Sequence, residues 1–345
     1  MIESAALSFL KRRGGKCGAM HRRAYWRALV AAGMGPLAGC GVFEATTEED
    51  DPAAAREEQV AAANDHLKQI FDTLAGYDIV ADGRPVVDPD AYTSEDLGVL
   101  RQELEGAQTA VAELDELGRE AETPVPSSEV VRGGTLLASV RVEMYGRARE
   151  LAGQDRAAHA ALGEQNSERV QTVARGVPAT AGDVASAAQE CGDLIAIFRL
   201  ESFSAPSFYR LEQANQEHEA FSEIAATVDP AAGGVASVGR ALSRGAAGRE
   251  LLASDQYDAA EIAYEEALGA IDAARQQFAR LGGPPPMFEA AVERGRCGLD
   301  QLSEAYSAAR EGIQAARKGD SDQADKRLAT AEDRLETYLA DCLEA

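Results

Sequence analysis

Apolar residues recur along most of this chain at steps of three and four, the spacing that places them on one face of an α-helix. Val60, Ala63, Leu67, Ile70 and Leu74 form the first such stripe. They predict a helix that starts near Ala53 and ends at Gly76. Residues 77–92 read differently: Ile79-Val80 and Val86-Val87 flank Asp82-Gly83, a dipeptide suited to a tight turn, and Pro85 restricts the pair to an edge ribbon. Thr93 then offers an N-cap with Asp96 as its reciprocal partner. Leu97, Leu100, Leu104, Ala107, Val111 and Leu114 follow as a coiled-coil-like seam that faces either the first helix or a second copy of the chain.

Thr123-Pro124-Val125-Pro126 breaks the pattern, and a helix is expected from Ser127 or Ser128 to about Ala152. Gly153-Gln154 is expected to turn it into another helix ending near Gly176-Val177-Pro178. Further helices cover roughly 181–202 and 206–227, and Asp229-Pro230 through Gly233-Gly234 marks a boundary. The division is a helical bundle domain at 53–228 and helical hairpins at 235–345, broken at Leu281-Gly282-Gly283-Pro284-Pro285-Pro286. No stretch alternates strand with helix, which argues against a doubly wound nucleotide- or solute-binding fold. The expected class is all-α, built of antiparallel helical hairpins.

Composition sharpens this. Aromatic residues make up only 6% of the 345 residues, and hydrophobic residues 45%, much of it Ala, which suits closely approached helices. The net charge of −24 would repel a phosphate backbone, so nucleic acid is excluded as a partner. Residues 1–39 break from the rest, with seven basic residues and one acidic residue. Arg22-Arg23 precede an apolar stretch, Ala28 to Leu37, too short to span about 30 Å of hydrocarbon.

That stretch ends in Leu37-Ala38-Gly39-Cys40, and Arg22 to Cys40 resembles the signal of twin-arginine lipoprotein precursors. The resemblance implies export, cleavage before Cys40, lipid on the Cys40 thiol and an anchored position on the extracytoplasmic face of the membrane. The basic pair also fits an ordinary Sec signal, and Met20 is an alternative start. Residues 40–52 then read as an acidic spacer. Beyond it the chain is acidic with only three lysines, Lys68, Lys318 and Lys326. That surface is similar to those of proteins from salt-loving archaea, where dense carboxylates serve solvation.

Residues 244–274 resemble a tetratricopeptide repeat, with Gly248, Tyr257, Ala260, Tyr264 and Ala267 at its packing positions and Asp255-Gln256 at its turn. Arg244 stands where a large aromatic is usual, and the closing Pro is missing. Sixty-four residues on, Gly312, Gly319-Asp320, Ala324, Leu328 and Ala331 repeat the pattern. A weaker echo 102 residues earlier falls on Gly146, Ala158 and Leu162. Such a repeat implies binding of another protein, by analogy of fold.

Recognisable catalytic chemistry is scarce. His66, His159 and His218 lack the Glu three residues earlier that carboxylate-bridged metal bundles require. His218 shares an apolar spacing with Leu211, Ala214 and Phe221, as a core or edge residue, while His66 and His159 read as solvated. Asp88, Asp90 and Glu95 suggest a calcium loop, but Val99 stands where its bidentate Glu is needed. No nucleophile pairs with a base, so no catalytic, cofactor or metal residue is assigned. Of Cys191, Cys297 and Cys342, the last two can pair if their helices fold back about Gly319-Asp320; otherwise they are buried core thiols. The sequence thus points to a lipid-anchored, non-catalytic scaffold that binds another protein. A surface lipoprotein that binds a small molecule or cation is the alternative. An enzyme would require a polar cleft joining His218 or His159 to a carboxylate.

Overall fold

A computed structural model of the chain describes residues 52–77, 80–81, 84–85, 91–119, 126–200, 205–282 and 286–343. The signal and lipobox positions Arg22, Arg23, Leu37, Ala38, Gly39 and Cys40 lie outside the described residues, as do Asp88 and Asp90. Helices run as α1 (Pro52–Leu74), α2 (Ser94–Arg119), α3 (Pro126–Gly163), α4 (Ser167–Leu200) and α5 (Leu211–Ala253). They continue as α6 (Tyr257–Ala279), α7 (Pro286–Arg296), α8 (Leu299–Arg317) and α9 (Ser321–Tyr338). A two-residue antiparallel ribbon, β1 (Val80–Ala81) with β2 (Arg84–Pro85), is all the strand among the described residues, and the fold is all-α.

Each long helix packs mainly on its sequence neighbours, and α6 also packs on α8. The seam of α2 faces α1, with Leu97, Leu100, Ala107, Val111 and Leu114 buried. Its N-terminus is capped as expected. The Asp96 amide donates to Thr93 Oγ1 at 3.1 Å, and the Thr93 amide donates back to the Asp96 carboxylate at 2.6 Å.

Three expected breaks are absent. Gly153-Gln154 lies inside α3, Pro178 inside α4, and Asp229 to Gly234 inside the 43-residue α5. Burial explains this: Val177, Ala181 and Val184 keep their stripe across exposed Pro178, and Val228, Ala231, Ala232 and Val235 keep theirs across Pro230. Continuous burial along these helices outweighs the one backbone hydrogen bond that each proline forfeits. Gly234 also has another cause. A Cβ on Gly234 would stand 2.3 Å from the Phe278 ring, so the residue admits an aromatic rather than a turn. The division at 229–234 is therefore corrected: the described residues form one compact unit with a continuous core.

The hairpin turns reveal the real internal repeat. Between α5 and α6, the amides of Asp255 and Gln256 donate to the carbonyls of Leu252 and Leu251. Between α8 and α9, Gly319 and Asp320 donate to Ala316 and Ala315, the same pattern 64 residues on. Between α3 and α4, Gln165 and Asn166 donate to Leu162 and Ala161. In each turn the first donor is left-handed, with φ of 57°, 79° and 54° for Asp255, Gly319 and Gln165. These are three Schellman caps, in which crossed bonds satisfy the last carbonyls of the helix. The earlier echo thus lies 90 residues before Asp255, not 102, and Ala158 rather than Gly146 occupies the place of Gly248.

Candidate functional site

The second half of α5 carries Gly245 and Gly248 on its buried face, and a tyrosine lies against each. A Cβ on Gly245 would stand 2.3 Å from Tyr306 of α8; on Gly248 it would stand 3.0 Å from Tyr264 of α6. The missing side chains let both rings settle onto the α5 backbone, their centroids 5.8 Å apart. Gly312 receives Leu328 in the next hairpin, where a Cβ would stand 2.9 Å from the leucine, repeating the pair Gly248 and Tyr264. The repeat is thus a packing device, a glycine facing a large side chain on the following helix.

Above these rings lies an open cleft of about 430 Å³ between α5, α6, α8 and α9. Its apolar lining comes from Leu252, Ala305, Ala309, Leu328, Leu335 and Leu339. Arg249 stands on the α5 side, and Glu332 and Glu336 on α9. Burial pushes the Tyr264 hydroxyl up to about 12; Arg249 draws it back and Glu332 raises it further, so the cleft holds opposite charges near one phenol. Tyr306 is raised mainly by burial.

Both walls are braced. Glu261 of α6 accepts from Gln314 at 2.8 Å and Arg317 at 2.6 Å, fastening α6 to α8. Those bonds, together with the Arg317 and Arg310 charges, hold the Glu261 carboxyl below the usual range. Cys297 and Cys342 form a disulfide with Cα atoms 5.5 Å apart. They lie beside the long helices rather than within them: Cys297 is in the turn between α7 and α8, and Cys342 in the π-helical turn Leu339–Leu343 after α9. Gly298, at φ 66°, lets that turn pass close to Tyr338 and Cys342.

The other expected residues are spread apart. His66 Nδ1 meets Glu103 at 2.7 Å over Gly106, so it joins α1 to α2 while its side chain stays 37% exposed. His218 Nδ1 donates to the Ala188 carbonyl at 2.7 Å over Gly192, joining α5 to α4. His159 is partly buried on α3, its pKa lowered by burial and by Arg294 of α7. Glu95 lies in the first turn of α2. No group of three metal-ligating side chains occurs among the described residues.

The sequence reading missed a buried ion pair. Arg141 of α3 donates from Nε and Nη2 to the two carboxylate oxygens of Glu217 on α5, each at 2.5 Å, with both side chains fully buried. Tyr145 adds its hydroxyl to Glu217 at 3.2 Å, and the Phe71 ring lies 5.1 Å from the guanidinium. Burial opposes the Arg141 charge, but Glu217 more than reverses that and raises its pKa. Nearby Cys191 is pushed up to about 12, mainly by burial and then by Glu217, so its thiol is a poor nucleophile at neutral pH. A signal was present. Leu137, Arg141, Met144 and Ala148 share one stripe, and Ala214, Glu217, Phe221 and Ile224 share another, each with a charge at a core position.

Comparison of the chain with protein-family models, with curated proteins and with solved structures finds no match.

Proposed function

We propose that this chain is a lipid-anchored extracytoplasmic scaffold, without catalytic activity, whose helical body binds another protein. The observation that carries the reading is the cleft at Tyr264 and Tyr306: apolar, open and charged at its edges. Buried apolar surface supplies association energy, and edge charges supply specificity. The disulfide fits an oxidising compartment. No helix among the described residues is long and apolar enough to cross a membrane. The proposal places attachment at Cys40, with Arg22, Arg23 and the lipobox Leu37 to Cys40 as the export signal.

One observation favours a second reading. The cleft volume falls within the range of small-molecule sites, and Arg249 on one wall and Glu332 and Glu336 on the other offer polar contacts, so a small organic ligand is the alternative occupant. Affinity capture of the detergent-solubilised protein from membranes at high salt separates the two. Recovery of a stoichiometric protein companion is expected; repeated recovery alone would defeat the scaffold reading. Cys40→Ser should move the protein from the membrane fraction to the soluble fraction, and unchanged retention would refute the lipid anchor.

A further inference from the structure

The charges around the cleft are used unevenly. Between α8 and α9, Arg327 pairs with Glu311 and Arg334 with Glu304, each at 3.0 Å, and none of the four lines the cleft. Glu332 and Glu336 lie one turn apart on α9, exposed and in no ion pair with a described residue. Between them Leu335 points into the cleft, with Leu328 two turns earlier. Arg249, exposed on the opposite wall, is also in no ion pair with a described residue. The outward face of α9 carries exposed Asp322, Asp325, Lys326 and Asp333, a charged end that suits termination of a hairpin array rather than stacking of another copy.

We infer that the cleft receives an amphipathic helix of a partner protein, one whose apolar side chains enter between Leu252, Leu328 and Leu335 and whose basic residues meet Glu332 and Glu336. This rests on the scaffold reading and adds to it the partner's chemistry and orientation. A cleft of this size takes side chains from a helix laid across it, rather than a whole helix. Arg249 sets the direction, because it repels basic residues at the α5 wall and leaves them the α9 wall.

The test uses the full-length protein in detergent and a fluorescent 18-residue Leu/Lys amphipathic helix, acetylated and amidated at its ends, followed by anisotropy at moderate salt. The paired charge reversal Glu332→Lys with Glu336→Lys should weaken binding about tenfold more than Glu57→Lys with Glu58→Lys. The second pair makes the same net charge change at exposed positions on α1, so it removes the general attraction of an acidic protein for a cation. A Leu/Glu counterpart of the peptide should gain affinity for the reversed cleft. Equal losses from the two reversals, or no binding of the Leu/Lys peptide by the parent protein, would overturn the inference. Capture of a protein companion despite that result would leave the scaffold reading standing and place its contact elsewhere.

Discussion

Tyr209 and Tyr306 meet the fold in the same way and finish differently. Tyr209 lies over Gly134 of α3, where a Cβ would stand 2.3 Å from its hydroxyl, as Tyr306 lies over Gly245. The Tyr209 hydroxyl donates to the Val130 carbonyl at 3.1 Å, and its ring packs with Phe71, Phe198 and Phe208. Tyr306 contacts Tyr264 at the floor of an open cleft, and neither of those hydroxyls makes a hydrogen bond with a described residue. One packing device therefore serves two ends. In the N-terminal helices it seats a tyrosine whose hydroxyl is bonded inside the core; in the C-terminal hairpins it forms the floor of a cleft, with two hydroxyls that bond no described residue.

The largest effect should come from breaking the closed side. Glu217→Gln leaves the Arg141 charge buried without a counter-charge, and it should destabilise the protein by about 3–5 kcal/mol in denaturant melts. Replacing Arg141 and Glu217 together by Met should recover most of that loss, because the desolvation of both charges disappears with them. If the double variant is as unstable as the single, the pair holds the core by something other than mutual compensation.

On the open side, removing the disulfide with Cys297→Ser and Cys342→Ser should cost about 4 kcal/mol on a chain-entropy estimate for its separation of 45 residues. The loss should also be local. Amide exchange should speed up in α9, which packs mainly on α8, well before it does around Arg141. Uniform acceleration along the chain would mean that the two regions open as one.

Asp155 tests whether every buried polar group on the closed side is compensated. It is only 4% exposed on α3, one of its carboxylate oxygens has no hydrogen-bond partner, and burial raises its pKa to about 7. The folded state therefore holds the Asp155 proton more tightly than the unfolded chain does. Its favourable contribution is complete below about pH 4 and is lost as pH rises to about 7 and beyond. A rise of that size corresponds to about 4 kcal/mol at most. Asp155→Asn should raise the melting temperature at pH 8 and change it little at pH 4; the same gain at both values would refute the assignment.

Much of the helical pattern was legible because the apolar stripes are regular. The Thr93 cap and the α8–α9 hairpin followed from local residue types. The breaks at Gly153, Pro178 and Pro230 were misread because a proline or glycine weakens a helix by a local amount, while the stripe on either side is buried against long neighbouring helices. The cleft was half visible. Gly248, Tyr264, Gly312 and Leu328 were named as repeat positions, but Tyr306 and Gly245 were not, since their pairing crosses from α5 to α8 and leaves no fixed spacing. Arg141 and Glu217 are separated by 76 residues, and each alone reads as an isolated charge on an otherwise apolar stripe.

The smallest effect is the most discriminating. Tyr209→Phe removes a hydroxyl that gives the Val130 carbonyl a second hydrogen bond, beside its helical one, inside the fold, so it should cost about 1 kcal/mol. Tyr264→Phe and Tyr306→Phe remove hydroxyls with no hydrogen-bond acceptor among the described residues, and each should change stability by less than about 0.5 kcal/mol. If the cleft tyrosines bond the bound segment, the same two substitutions should weaken the Leu/Lys peptide several-fold, while Tyr209→Phe leaves its affinity alone. Comparable stability losses at all three tyrosines would show that Tyr264 and Tyr306 spend their hydroxyls on the fold, and the distinction between a closed and an open half would then rest on the charges alone.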